Sequence, residues 1–178
     1  HELSQCNIAK EYIDIIQIPA FLCRQTDLLL EAGKTNLPVN IKKGQFLSPW
    51  EMENVCKKIS FTGNKKILLT ERGTTFGYNN LVSDMRSLVI LRETGCPVIY
   101  DASHSVQQPG GDTLESGGES EYIPALAKAA TAVGIDAIFI ETHPNPSNAH
   151  SDGKNSLHLN KMEDLLNSVV SINEIAKR

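Results

Sequence analysis

The sequence has no apolar run near the roughly 20 residues that cross a bilayer. It has no C-x-x-C pair among its four cysteines, no Walker or dinucleotide glycine spacing, and no excess of basic residues. Each absence closes a class. With neither an apolar span nor a signal peptide ahead of the first element, a soluble, cytoplasmic protein is expected. Cys6, Cys23, Cys56 and Cys96 are too scattered for a ligand cluster, so reduced, mostly buried thiols are expected. Gly110-Gly111 and Gly117-Gly118 fit no nucleotide fingerprint and read as a mobile loop or a plain connection. A net charge of -4, from 17 Lys and Arg against 21 Asp and Glu, argues against nucleic acid or an anionic membrane as partner. The opening methionine is missing too: His1 stands directly before a helical pattern, as in the middle of a longer chain.

What is present is an alternation. At 178 residues, with 40% hydrophobic and 21% charged, the chain is expected to form one globular domain, residues 1–178. Apolar runs beginning near Ile13, Leu37, Ile67, Val98 and Ala137 read as strands, each followed by a helical pattern. The first of these helices, Arg24 to Gly33, closes near its glycine, Ser48-Pro49-Trp50-Glu51 opens the next with a capping box, and Asn160 caps the last. The strands are too apolar for a wet face, which predicts a parallel sheet covered by helices. A doubly wound sheet and a (β/α)8 barrel both satisfy that. The barrel is favoured because every strand, rather than one switch point, ends in polar groups suited to a site. A full barrel needs about 250 residues and eight units, so five units are an incomplete one.

The polar ends define the candidate chemistry. Pro97-Val98-Ile99-Tyr100 turns abruptly into Asp101-Ala102-Ser103-His104, with Gln107 just beyond. Lys42, Lys43 and Arg72 also stand at strand ends. Cations gathered at one rim of an acidic protein suit an anionic small molecule, Arg72 offering a fork and Lys42 a point charge. The plainer reading pairs them with Glu71 and Asp101. His104, Glu141 and Asp152, one imidazole and two carboxylates from three loops, have the donor types for Zn2+, Fe2+ or Mn2+. His143 reads as structural, His150 and His158 as solvated, and Asn79 and Asn80 as shaping their loop.

Longer motifs then carry a resemblance. Gln17-Ile18-Pro19-Ala20-Phe21-Leu22-Cys23-Arg24-Gln25-Thr26-Asp27, Asn40-Ile41-Lys42-Lys43-Gly44-Gln45-Phe46 and Glu71-Arg72-Gly73-Thr74-Thr75-Phe76-Gly77-Tyr78-Asn79-Asn80-Leu81 come in that order. Tyr100-Asp101-Ala102-Ser103-His104-Ser105-Val106-Gln107 and Glu141-Thr142-His143-Pro144 follow. Together they resemble the 3-deoxy-D-manno-octulosonate 8-phosphate synthases across essentially the whole chain. The resemblance implies a (β/α)8 TIM barrel of which this chain supplies about five C-terminal units, the N-terminal third being absent.

It also implies condensation of phosphoenolpyruvate with D-arabinose 5-phosphate, releasing phosphate, for lipopolysaccharide synthesis. By motif match, Lys42 and Arg72 would hold the phosphoenolpyruvate phosphate, Gln17 and the Ala20 backbone its carboxylate, and Gln107 would join the substrate site. Arg24 would reach a neighbouring subunit's sugar phosphate, making a homotetramer. His104, Glu141 and Asp152 coincide with ligands of the metal-dependent branch, and His104 or Asp152 would move the proton. The fourth ligand of that branch, a first-strand cysteine, matches none of the four here. Two other readings stand beside this one: a sister synthase using erythrose 4-phosphate, and a truncated remnant without activity.

Overall fold

The computed structural model describes residues 1–110 and 117–176; Gly111, part of the expected mobile loop, lies outside them. Helix α1 (Leu3–Ala9) precedes strand β1 (Ile16–Ile18). Then come α2 (Thr26–Lys34), β2 (Val39–Lys42), α3 (Met52–Phe61), β3 (Ile67–Glu71), α4 (Arg86–Arg92), β4 (Val98–Asp101), α5 (Ile123–Val133), β5 (Ala137–Phe139) and α6 (Met162–Ala176).

Local chemistry accounts for most of the boundaries, and corrects some. The Ser48 capping box is formed: Glu51 accepts from the Ser48 N–H at 3.0 Å and its hydroxyl at 3.1 Å. It opens a single tight turn, Pro49–Glu51, from which α3 continues. Helix α2 closes next to Gly33, as expected, one residue later at Lys34. A Cβ on Gly33 would come within 2.6 Å of the Thr62 hydroxyl, so this glycine is where α2 meets the end of α3. The cap before α6 is not Asn160 but His158, whose imidazole accepts from the Asn160 N–H at 3.3 Å.

The five strands form one parallel sheet in the order β1-β2-β3-β4-β5. Parallel crossovers are right-handed, so an order that never reverses puts every helix on the same side. A doubly wound sheet would need a reversal and helices on both faces, and that alternative falls.

Side chains alternate between the two faces with period two. Ile18, Val39, Ile41, Leu69, Val98 and Tyr100 face the helices, where Leu28, Leu29, Met52, Ile59, Leu88, Leu91 and Ile123 close the core. Truncating one such fully buried leucine or isoleucine to alanine costs about 2–5 kcal/mol. The opposite face is not the dry one expected. Gln17, Asn40 and Thr70 form a polar ladder across three strands, with Asn40 donating to Gln17 at 3.2 Å and Thr70 to Asn40 at 2.6 Å. Gln17 and Ala137 are exposed on it, and Leu68, Ile99 and Phe139 are half-buried.

Candidate active site

The C-terminal ends of β2, β3, β4 and β5 lie side by side. Register sets Lys42 beside Thr70 and Asp101 beside Phe139, on the face away from the helices. Beyond β4 the backbone tightens into a turn, His104–Val106, because the Asp101 carboxylate accepts the His104 N–H at 2.8 Å. The other Asp101 oxygen, Oδ2, receives Lys42 Nζ at 2.6 Å and meets His104 Nδ1 at 2.8 Å. Lys42 Nζ is also 3.4 Å from that ring nitrogen.

One fully buried carboxylate thus anchors both groups. Burial alone would raise the Asp101 pKa; the His104 hydrogen bond and charge, with Lys42, outweigh it and hold the carboxyl below its ordinary range. A carboxylate only accepts, so Nδ1 is assigned the imidazole proton and Nε2 is left as the basic nitrogen. That nitrogen faces Asp152 Oδ1 at 3.8 Å. Beneath the cluster lies Phe139, its ring centroid 3.8 Å from Lys42 Nζ and 5.8 Å from the His104 ring. The former distance is a cation–π contact.

Arg72 is placed by the residues on either side of it. Glu71 turns toward the helices, and its Oε1 accepts the N–H groups of Arg72 at 3.0 Å and Gly73 at 2.7 Å. Its other oxygen accepts the Ser87 hydroxyl at 2.7 Å. Gly73 supplies the left-handed conformation, φ 94°, that the turn requires. Arg72 therefore emerges on the opposite face, where its Nη2 donates to Gln107 at 2.7 Å. Its Nη1 is buried without a hydrogen-bond partner among the described residues. Burial lowers the Arg72 pKa, and the carboxylates of Asp101, Glu71 and Asp152 partly offset that. A desolvated guanidinium with an unused donor is a fitting receptor for an anion's oxygens. Gln107 itself is held by the short ladder in which Gln107-Gln108 pairs with Gly117-Gly118.

The structure therefore joins Lys42 and His104 through Asp101, sets Asp152 3.8 Å from His104, and joins Arg72 with Gln107. Gln17 belongs to the same sheet face one strand away, through Asn40. Ala20 is buried in the turn Ala20–Leu22 that follows β1. Arg24 is exposed outside this cluster, its carbonyl accepting from Lys58 at 3.1 Å. Glu141 donates its N–H to the Ser103 hydroxyl at 2.8 Å. It does not complete a ligand set: among the described residues no group of three or more His, Cys, Asp or Glu could hold a metal ion as they stand.

Lys43 is a correction. It points to the helix side, fully buried, donating to the carbonyls of Gly44 at 3.3 Å and Leu47 at 3.2 Å and to the Thr74 hydroxyl at 3.2 Å. Glu71 lies 3.6 Å from its ammonium, so the plain pairing is observed here, as it is for Lys42 with Asp101 at 2.6 Å. Phe139 and the Asn40–Thr70 ladder were not anticipated. Strand alternation carried a signal for them, since both share the face of Lys42 and Asp101.

A protein-family model described as the DAHP synthetase I family matches residues 1–178. A protein of Syntrophotalea carbinolica named 2-dehydro-3-deoxyphosphooctonate aldolase is 57% identical over 177 residues, 99% of this chain and 64% of its own. Proteins of the same name from Rhodopseudomonas palustris and Legionella pneumophila are 59% and 58% identical over 100% of this chain. The chain spans 62% and 65% of those two relatives, so each is about half as long again.

Proposed function

Because the chain belongs to the DAHP synthetase I family, we propose that, completed by the strands its longer relatives have room for, it condenses phosphoenolpyruvate with D-arabinose 5-phosphate. The products are 3-deoxy-D-manno-octulosonate 8-phosphate, a lipopolysaccharide precursor, and inorganic phosphate. In this reading the sheet is one arc of a (β/α)8 barrel, and its half-wet face is the barrel interior. A cytoplasmic homotetramer, with Arg24 reaching a neighbouring subunit, belongs to the same proposal. No helix among the described residues is long and apolar enough to cross a membrane.

The observation that carries the proposal is the unused, buried Nη1 of Arg72 on the sheet face that also presents Lys42 and His104. The reaction must bring two anions together, join C3 of the enol to the aldehyde carbon, and add water at C2 before phosphate leaves. Lys42 and Arg72 offset the repulsion as preorganised cations in a water-poor setting. Gln107 fixes the guanidinium, and Gln17 and the Ala20 backbone receive the carboxylate. His104, its Nδ1 held by Asp101, takes a proton from the attacking water at Nε2, with Asp152 beside it to pass the proton on.

The resemblance also brings a divalent metal into the proposal, with His104, Glu141 and Asp152 as its ligands. Such an ion would act as a Lewis acid on the sugar aldehyde. His104 and Asp152 approach to 3.8 Å, but among the described residues no group of three could hold the ion as they stand, so that set does not fit and no step is routed through a metal. Phosphate release from phosphoenolpyruvate, measured with arabinose 5-phosphate and with erythrose 4-phosphate, tests the substrate. The family description favours keeping the second sugar in the assay; a preference for it would overturn the reading. Purified 178-residue material alone, with the outer edges of β1 and β5 unpaired among the described residues, is expected to be inactive.

A further inference from the structure

Cys56 and Cys96 are 40 residues apart in sequence, yet their sulfurs lie 3.8 Å from each other. Cys56 is on α3, in the helix layer; Cys96 is in the turn from α4 into β4, with its N–H held by the Thr94 hydroxyl at 3.3 Å. Cys56 is buried and Cys96 half-buried, so one thiol is sheltered and the other can be reached. Cys6 and Cys23, both buried, have no sulfur partner among the described residues. The pair is at the N-terminal end of the sheet, the opposite end from Lys42, Arg72 and His104.

We propose that Cys56 and Cys96 form a dithiol that exchanges with a small-molecule disulfide to become an intramolecular disulfide. The more exposed Cys96 thiolate attacks one sulfur of the small disulfide, forming a mixed disulfide and releasing one small thiolate. Cys56 gives its proton to a released thiolate, attacks the Cys96 sulfur and displaces the second. Two protein thiols are oxidised to one disulfide, and one small disulfide is reduced to two thiols. The shared hydrogen bond pushes Cys96 down to about 6, whereas that bond and burial push Cys56 up. This is the division between attacking and resolving thiol that the exchange needs. The product ties α3 to the start of β4, and β4 carries Asp101 at its far end. The lock therefore acts on the stability of the β3-β4 unit and leaves the candidate site intact.

Oxidised glutathione is the probe. The full-length protein is equilibrated with it, quenched with iodoacetamide and digested with trypsin. The expected product is a link between the peptides of residues 44–57 and 93–128, with loss of two hydrogens from the intact mass and a rise in melting temperature. Cys56→Ser should stop at the mixed disulfide on Cys96, gaining one glutathione. Cys96→Ser should lose both the link and the glutathione adduct; being half-buried, it is also the milder change. A wild-type protein that accumulates the glutathione adduct without the link, or that links Cys6 or Cys23 instead, overturns the proposal. So does a protein left fully reduced while a reference dithiol in the same buffer is oxidised.

Discussion

Lys42 and Lys43 are neighbours in sequence, both are buried, and each lies within 4 Å of a buried carboxylate. They nevertheless work on opposite faces of the sheet. On the helix side, Lys43 is spent on two carbonyls, a hydroxyl and Glu71, and what it stabilises is the turn beneath Arg72. On the inner side, Lys42 shares Asp101 with a titratable ring and stands over an aromatic face. A saturated cation is architecture, whereas a cation whose counter-ion is shared with His104 is available to a ligand.

The strongest way to break this comparison is to substitute each lysine by methionine. Lys43→Met orphans two carbonyls and leaves Glu71 without its cation, a loss of about 3–5 kcal/mol of folding stability, read from urea unfolding. Whatever remains folded should bind phosphoenolpyruvate normally. Lys42→Met should do the reverse: turnover falls by about 10²–10³, while the loss of stability is the smaller of the two, because Asp101 keeps both bonds from His104. If the two variants lose affinity and stability in the same proportion, the division between faces is wrong.

Asp101 sharpens the contrast through pH. Its folded pKa lies below the ordinary 3.8, so its contribution to stability is complete above that value and is lost as pH falls through the lower folded one. Asp101→Asn should cost about 1.5–3 kcal/mol at neutral pH, the scale of hydrogen bonds to a charged group. It should also flatten the acid limb of the stability curve below 3.8. An unchanged acid limb would mean that the carboxylate is not the shared anchor.

How much of this was legible beforehand depends on which periodicity was used. Apolar runs located all five strands, and their polar ends located Lys42, Arg72, Asp101 and His104. The capping box at Ser48 was readable because its two partners are three residues apart. The face of each strand residue was readable as well, since Ile41 belongs to the core and Lys43 follows it by two. Pooling Lys42 with Lys43 as one rim overlooked that rule. Other features are invisible in one dimension. The Asn40–Thr70 bond and the Cys56–Cys96 approach depend on register and on helix packing between distant segments. Glu141 next to Thr142-His143-Pro144 matched a family pattern, but pattern alone does not place a side chain beside His104 and Asp152.

Phe139 gives the smallest and most selective test of the inner face. It sits directly across from Asp101 at the end of β5, half-buried, and touches Lys42 through the face of its ring. Replacing it with leucine keeps apolar volume and removes the quadrupole, so what is lost is the cation–π term of about 0.5–2 kcal/mol. Lys42 would still hold Asp101 but with a less fixed head group. The KM for phosphoenolpyruvate should therefore rise by a few-fold to about thirty-fold, with kcat nearly unchanged, and Phe139→Tyr should restore it. A loss confined to kcat would instead assign the ring to His104, which it meets at 45°, and would move the aromatic contribution from holding the anion to orienting the base.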